Sequence, residues 1–280
     1  MLNLKVFVVI LNYNGKDVIE RCLTSVLNSD YPNLEIVVVD NNSTDGSLEF
    51  IKRKFSKVHF IKNSRNIGFS AGNNVGIRFA IERMADYVFI LNNDAWVEKN
   101  SITKLVEFTE KNQEISISNP LIMKNKREVW FEGGRIDWMK MKAYHLKNSQ
   151  KTDYLTGCAM LIGKDVFKKI GLFDEDYFLY YEDVDFSVRA VRSGFGIGIN
   201  RNSIIFHNES SETENPNKVY WLVLSALIFF KKHTPLRLRW WISVYSYLRR
   251  MKNRKDLKKG INKNVAIKVK KAYTDFGKIK

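Results

Sequence analysis

Short runs of consecutive apolar residues alternate, through the first hundred positions, with segments in which apolar residues return every third or fourth place. The runs cover residues 5–11, 34–39, 58–61 and 87–91; the periodic segments cover 17–27, 47–55 and 73–84. A run apolar at every position reads as a strand buried on both faces, and the longer period reads as a helix packed on it. Strand and helix in turn, with short links, predict an open sheet of parallel strands joined by right-handed crossovers. Two of the runs end on a carboxylate. Residues 36–39 stop at Asp40 and the turn-rich Asn41-Asn42-Ser43-Thr44-Asp45-Gly46, and 87–91 stop at Asn92-Asn93-Asp94. Such sheets bind ligands off the carboxyl ends of their strands. Asp40 and Asp94 are therefore expected on one cleft, placed for a phosphate-bearing ligand held through a divalent cation. The plainer role of either acid is to cap the next helix.

The pattern changes after residue 100. Residues 101–111 read as a helix and 115–123 as extended; 129–145 are polar and aromatic with no period, which suggests a loop or hairpin over the cleft. A buried strand is expected over 154–162, helices over 164–170 and 182–193, and strand-like stretches over 196–199 and 203–206. Charge then divides the chain. Of its 46 Lys and Arg and 30 Asp and Glu, 18 and 2 fall in residues 218–280, so the whole net charge of +16 belongs there and the body is neutral. A neutral body with a basic end is drawn to an anionic surface through that end. Its longest apolar run, 219–230, has about 12 residues where a bilayer crossing needs roughly 20, so no spanning helix is expected. Arginine beside indole rings in 236–242 and the basic stretch 249–259 suit a water–lipid boundary. Basic residues alternating with bulky aliphatics favour that over nucleic acid as the partner. Packing of 219–230 back on the body is the alternative for that part.

The expected organisation is an α/β domain over 1–217, with halves of about 1–100 and 101–217, and a basic helical membrane-associating appendage over 218–280. Cys22 and Cys158 match no metal or redox spacing and read as buried thiols of a reducing compartment. The N-terminus runs straight into a strand with no leader pattern, and the expected place is cytoplasmic, peripheral on the inner face of the cell membrane.

Candidate chemistry concentrates in residues 173–185, where carboxylates lie among aromatic rings. Partial desolvation raises a carboxylate's proton affinity and suits it to act as a base. Glu182, Asp183 and Asp185 open the helix there; the plainer reading is dipole stabilisation of its N-terminus. His207 ends the run 204–206 and faces a polar turn at 208–210. Alone it reads as a structural hydrogen-bonder; beside Asp94 it would complete a mixed oxygen–nitrogen site suited to Mn or Mg. His59, His145 and His233 have no acidic neighbour at useful spacing and read as structural or surface residues. Arg65, Gly68 and Gly72 lie where a strand gives way to a helix, a place where backbone amides attract phosphate.

Seven segments together resemble the family 2 glycosyltransferases of GT-A fold. They are Val-Ile-Leu-Asn-Tyr-Asn-Gly at 9–15, Val-Asp-Asn-Asn-Ser-Thr-Asp-Gly at 39–46, Arg-Asn-Ile-Gly-Phe at 65–69, Leu-Asn-Asn-Asp at 91–94, Thr-Gly-Cys-Ala at 156–159, Gly-Leu-Phe-Asp-Glu at 171–175 and Glu-Asp-Val-Asp at 182–185. The resemblance runs over about residues 5–232 and is greatest to the rhamnosyltransferase-like branch. It implies a mostly parallel central sheet flanked by helices. It implies that Asp40 bonds the pyrimidine of a nucleotide-sugar with Tyr13 near the base, and that Arg65 and the Gly68 loop line the nucleotide pocket. Asn92-Asn93-Asp94 stands where the family carries Asp-x-Asp, so Asp94 would hold the metal under the diphosphate and His207 would match an occasional third ligand. Asp183 would be the base, supported by Glu182 and Asp185. Asn92 replaces an acid, which predicts weaker metal binding that leans on the bound diphosphate. The implied reaction is sugar transfer with inversion, from a nucleoside-diphosphate sugar such as dTDP-rhamnose to a glycan or lipid-linked glycan. A sugar-nucleotide or glycan-binding protein that kept the fold and lost turnover is the alternative. A nucleotidyltransferase is a weaker rival, because the first strand lacks the glycine-rich, arginine-containing loop that enzyme would use.

Overall fold

The computed structural model describes residues 4–147, 151–207 and 216–279; the polar turn expected at 208–210 lies outside them. In chain order the first part comprises β1 (Val6–Asn12), α1 (Lys16–Leu27), β2 (Leu34–Asp40), α2 (Ser47–Lys54), β3 (His59–Lys62), α3 (Phe69–Glu82) and β4 (Tyr87–Asn92). Then follow β5 (Ala95–Val97), α4 (Ser101–Lys111), β6 (Ile115–Asn125), β7 (Glu128–Phe131), the hairpin β8 (Gly134–Asp137) and β9 (Lys142–His145), and β10 (Ala159–Gly163). The remainder is α5 (Lys164–Ile170), α6 (Glu182–Arg192), β11 (Gly196–His207), α7 (Pro216–His233), a 3-10 turn at Leu236–Leu238, α8 (Arg239–Lys259) and α9 (Lys263–Phe276).

The main sheet runs β3-β2-β1-β4-β10-β6-β11-β5, with β7 also paired to β6. Its first four strands are parallel; β10 enters antiparallel between β4 and β6, β11 lies parallel to β6, and β5 closes the edge antiparallel to β11. Helices cover both faces, so alternate residues of each strand feed two cores. Val6, Val8 and Ile10 enter one; Phe7 and Val9 enter the other. β1 and β4 are apolar at every position before their terminal Asn for that reason, whereas β2 carries Glu35 and edge strand β3 carries His59 and Lys62.

Three elements depart from their sequence expectations. Helix α3 begins at Phe69, not 73, so Gly72 belongs to the helix and not to a phosphate loop. A Cβ on Gly72 would stand 2.5 Å from Leu11 Cδ1, and one on Gly76 2.4 Å from Val9 Cγ1; these glycines let α3 lie close on β1. The strand expected over 154–162 is regular only from Ala159, because the preceding residues turn to dock on α6. The two stretches expected over 196–206 are one strand, irregular between Asn200 and Ile204.

Helix α7 spans the expected boundary at 217/218 and packs into the body. Leu224, Leu227, Ile228, Phe229 and Phe230 are buried in the same core as β1 and α1. Helix α9 packs on α7, with Tyr220 donating to Asp275 Oδ2 at 2.9 Å. Helix α8 has no buried residue. No helix among the described residues is long and apolar enough to cross a membrane.

Candidate active site

A cleft of about 620 Å3 opens at the edge of the sheet where β4 and β11 end, lined among others by Asn92, Asp94, Glu182, Asp183 and His207. Two successive residues before α6, Tyr180 at φ 69° and Tyr181 at φ 67°, hold the left-handed conformation that bulky residues rarely adopt. Surrounding contacts impose it. Ser70 Oγ donates to the Tyr177 carbonyl at 2.6 Å, the Phe69 amide to that of Phe178 at 2.7 Å, and the Ala143 amide to the Tyr181 hydroxyl at 3.1 Å. Buried Asn74 fastens Phe173 from both sides, donating to its carbonyl at 2.8 Å and accepting from its amide at 3.1 Å. The start of α3 thus straps the loop that launches α6. Gly68 has φ +89°, and a Cβ there would meet the Phe178 carbonyl oxygen at 2.6 Å; its role is close approach to this loop.

The launched carboxylates differ. Asp183 Oδ2 accepts from the Gly157 amide at 2.9 Å and Oδ1 from the Val184 amide at 2.8 Å. Burial raises its pKa above the ordinary aspartate range, and those amides oppose the rise. Glu182 is buried, and its Oε2 has no hydrogen-bond partner among the described residues. Burial first, then the Asp183 charge, hold its pKa well above the usual value and favour its protonated form. Asp185 departs from the place expected beside Asp183. It lies on the far side of α6, is not among the cleft residues, and is 1 % exposed. Its Oδ2 accepts from Arg189 Nε at 2.7 Å and its Oδ1 lies 2.6 Å from His233 Nε2. Burial alone would raise its pKa; the His233 hydrogen bond and the Arg189 charge outweigh that and hold it below the usual range.

Pairing of β5 with β11 sets His207 opposite Ala95, beside Asp94. His207 Nε2 and Asp94 Oδ1 stand 3.1 Å apart. Among the described residues Asp94 Oδ1 has no hydrogen-bond partner beyond this contact and His207 Nδ1 has none; both atoms are buried. A carboxylate oxygen whose one neighbour is an imidazole nitrogen fits an Mn or Mg ion. No group of three or more His, Cys, Asp or Glu able to hold a metal occurs among the described residues, so such an ion would draw its other ligands from diphosphate and water.

The remaining predicted residues lie outside the cleft lining. Asp40 is fully buried: Oδ1 accepts from Asn12 Nδ2 at 3.1 Å and Ser43 Oγ at 2.6 Å, and Oδ2 from the Ser43 amide at 2.9 Å. Its carboxylate orders the strand-end turn in this structure and is closed to a base. Asn93 Nδ2 donates to Asn12 Oδ1 at 3.0 Å and joins this network to the cleft edge. Tyr13 and Arg65 are exposed. Conversely, His145 and Trp130 line the cleft beside His207, and Lys218 does so from α7. The aromatic, aperiodic stretch 129–145 is the one expected over the cleft, but nothing in it singles out Trp130 or His145, and only the fold brings Lys218 there.

The family profile described as "Glycosyl transferase family 2" matches residues 7–171. The chain belongs to glycosyltransferase family 2. Among curated proteins similar to this chain, the low-salt glycan biosynthesis hexosyltransferase Agl10 of Haloferax volcanii is 29 % identical over 203 residues, covering 68 % of this chain and 63 % of that protein. The dTDP-rhamnosyl transferase RfbF of Shigella flexneri is 24 % identical over 252 residues, covering 85 % and 84 %. Thus the chain spans less than two thirds of the Haloferax protein's length. Among solved structures, a mannosyltransferase from Pyrobaculum calidifontis in complex with GDP-Man and Mn2+ shares the fold with a TM-score of 0.63 at 15 % identity, over 99 % of this chain and 76 % of that one. Solved neighbours of this family 2 chain are GT-A glycosyltransferases.

Proposed function

We propose that the chain is an inverting glycosyltransferase that moves a hexosyl group from a nucleoside-diphosphate sugar, dTDP-rhamnose first, to a hydroxyl of a glycan or lipid-linked glycan. The observation that carries the reading is the meeting in one cleft of a half-buried carboxylate with raised proton affinity, Asp183, and the Asp94–His207 pair. The acceptor hydroxyl attacks the anomeric carbon as the bond to the diphosphate oxygen breaks. Asp183 takes the hydroxyl proton, and the nucleoside diphosphate departs. One base opposite one leaving group makes a single displacement, which inverts the anomeric centre. Glu182, protonated, keeps a second negative charge from the attacking oxygen. Bound between Asp94, His207 and the diphosphate, Mn or Mg would screen the charge that builds on the leaving group. General-base assistance contributes about 10²–10⁴-fold, and alignment of two substrates supplies much of the rest.

Asn92, Asn93, Arg65 and Tyr13 lie at the strand ends suited to the donor's nucleotide. Asp40 joins them only if Ser43 gives way. Residues 218–280 direct the enzyme to an anionic membrane surface on the cytoplasmic side, where a lipid-linked acceptor would be met. The sparse protein ligand set for a cation favours one second reading, a sugar-nucleotide-binding protein without turnover.

The test is a panel of nucleotide sugars with and without Mn. The true donor stabilises the chain according to its concentration over its affinity. Product formed from that donor with a glycan acceptor should have the opposite anomeric configuration by NMR. Retained configuration would overturn the inverting mechanism, and donor binding without any product would favour the second reading.

A further inference from the structure

Helix α8 differs from every other long helix in having no buried residue, yet it is not polar throughout. Trp240, Val244, Tyr247 and Leu248 are 66 %, 43 %, 61 % and 53 % exposed. At 3.6 residues per turn they fall within about a third of the helix circumference. The same stripe continues toward the C-terminus as Arg254, Lys255 and Lys258, all exposed. Leu236, 78 % exposed in the preceding turn, extends it at the other end. The opposite side of α8 is occupied. Ile242 and Tyr245 pack on the core, Ser246 Oγ donates to Met141 Sδ at 3.4 Å, and Asn253 Nδ2 donates to the Ala266 carbonyl at 3.0 Å. Its single acid, Asp256, falls on that occupied side by helical spacing. Trp241 Nε1 bonds the Met139 carbonyl at 2.9 Å, tying the helix to the tip of the β8–β9 hairpin.

We propose that this outer face of α8 is an interfacial docking surface for a bilayer rich in anionic lipid. The apolar half, Leu236 to Leu248, would enter the headgroup boundary, and Arg254, Lys255 and Lys258 would pair with lipid phosphates. Charge complementarity decides the occupant: residues 218–280 hold 18 basic and 2 acidic residues against a neutral body. A stripe with Trp and Tyr at one end and cations at the other matches the layered chemistry of a membrane surface. A second copy of the chain would bring this basic face against its equal. The proposal rests on reading residues 218–280 as the membrane-directed part of the chain, and it narrows that reading to one face of one helix. Helices α7 and α9 then serve to seat α8 on the body.

The test uses the full chain, vesicles of phosphatidylcholine alone or with phosphatidylglycerol, and two triple variants, W240S/Y247S/L248S and R254Q/K255Q/K258Q. All six side chains are exposed, and circular dichroism melting checks that both variants fold. The parent should sediment with anionic vesicles, weakly with neutral ones, and less at 1 M salt, where screening acts over about 3 Å. Each variant should lose at least about tenfold in vesicle affinity. The blue shift of tryptophan fluorescence on binding should shrink in the first variant. Parent binding that both folded variants retain overturns the assignment of this face while leaving membrane association standing. No binding by the parent overturns both. A dimer in light scattering that the first variant breaks would assign the face to a second copy instead. None of these readouts depends on the donor, so a failure here is separable from failure of the transferase reading.

Discussion

Asp183 and Asp185 lie two residues apart in the first turn of α6, and their environments are opposite. Asp183 faces a cleft, is held by two backbone amides, and has a pKa pushed up by burial. Asp185 faces inward, is locked between Arg189 and His233, and has a pKa held down by them. The same residue type in the same motif is thus turned to the cleft on one side and locked into the core on the other. The buried ion network is strong support for a helix that must hold Asp183 still. His233 is itself held by Arg192, through Nδ1 and through its backbone carbonyl at 2.9 Å each. It therefore couples the end of α7 to the start of the reactive helix.

The contrast can be broken from the reactive side first. Asp183→Asn should lower sugar transfer by about 10²–10⁴-fold, the usual weight of a general base, while donor-induced thermal stabilisation persists. It should also leave the fold as stable or more stable at neutral pH. A group whose folded pKa is raised costs stability as pH climbs past its unfolded value, and the amide removes that cost.

From the structural side, Asp185→Ala takes the acid from half-buried Arg189 and buried His233 and should cost about 3 kcal/mol of unfolding free energy in denaturant titration. Its stabilising effect has the opposite pH sense to that of Asp183. A lowered folded pKa gives stability that is complete above the unfolded value of about 3.9 and is lost as pH falls through the folded one. Acid unfolding of Asp185→Asn should accordingly be less steep than that of the parent.

Two smaller effects sharpen the boundary between the sides. Asp94→Asn leaves His207 as the main protein ligand and should raise the Mn concentration for half-maximal transfer by about tenfold or more, equivalent to about 1.4 kcal/mol. Gly68→Ala forces a side chain into a left-handed position against the Phe178 carbonyl. It should cost about 1–3 kcal/mol of stability, with a loss of transfer as the loop before α6 shifts.

Much of this was legible along the chain, and the failures have physical causes. Buried strands followed by polar turns place Asp94, and the order of motifs places Asp183, because strand ends and helix starts are local features. The approach of His207 to Asp94 comes from the pairing of β11 with β5, a strand of three residues too short to show in the apolar pattern. What partners Asp185 was not legible. His233 is 48 residues away, and its chain neighbours offer no acid, so that it reads only as a structural or surface residue; tertiary packing buries it against Asp185. For 219–230 the alternative of packing on the body is the one the structure adopts: the cations of α7 cluster at its end and its apolar middle enters the core. Asp40 reads as a ligand-facing strand end, but its side chain is consumed by Asn12 and Ser43, a competition visible only in three dimensions.

The most direct test of Asp183 as the base is the pH dependence of kcat/KM for sugar transfer in the parent, Asp185→Asn and Asp183→Asn. The rate should fall toward acid through one midpoint above the ordinary aspartate value of about 3.9 in the first two, and the residual rate of Asp183→Asn should be flat across that range. The same midpoint surviving in Asp183→Asn would mean that another group takes the proton.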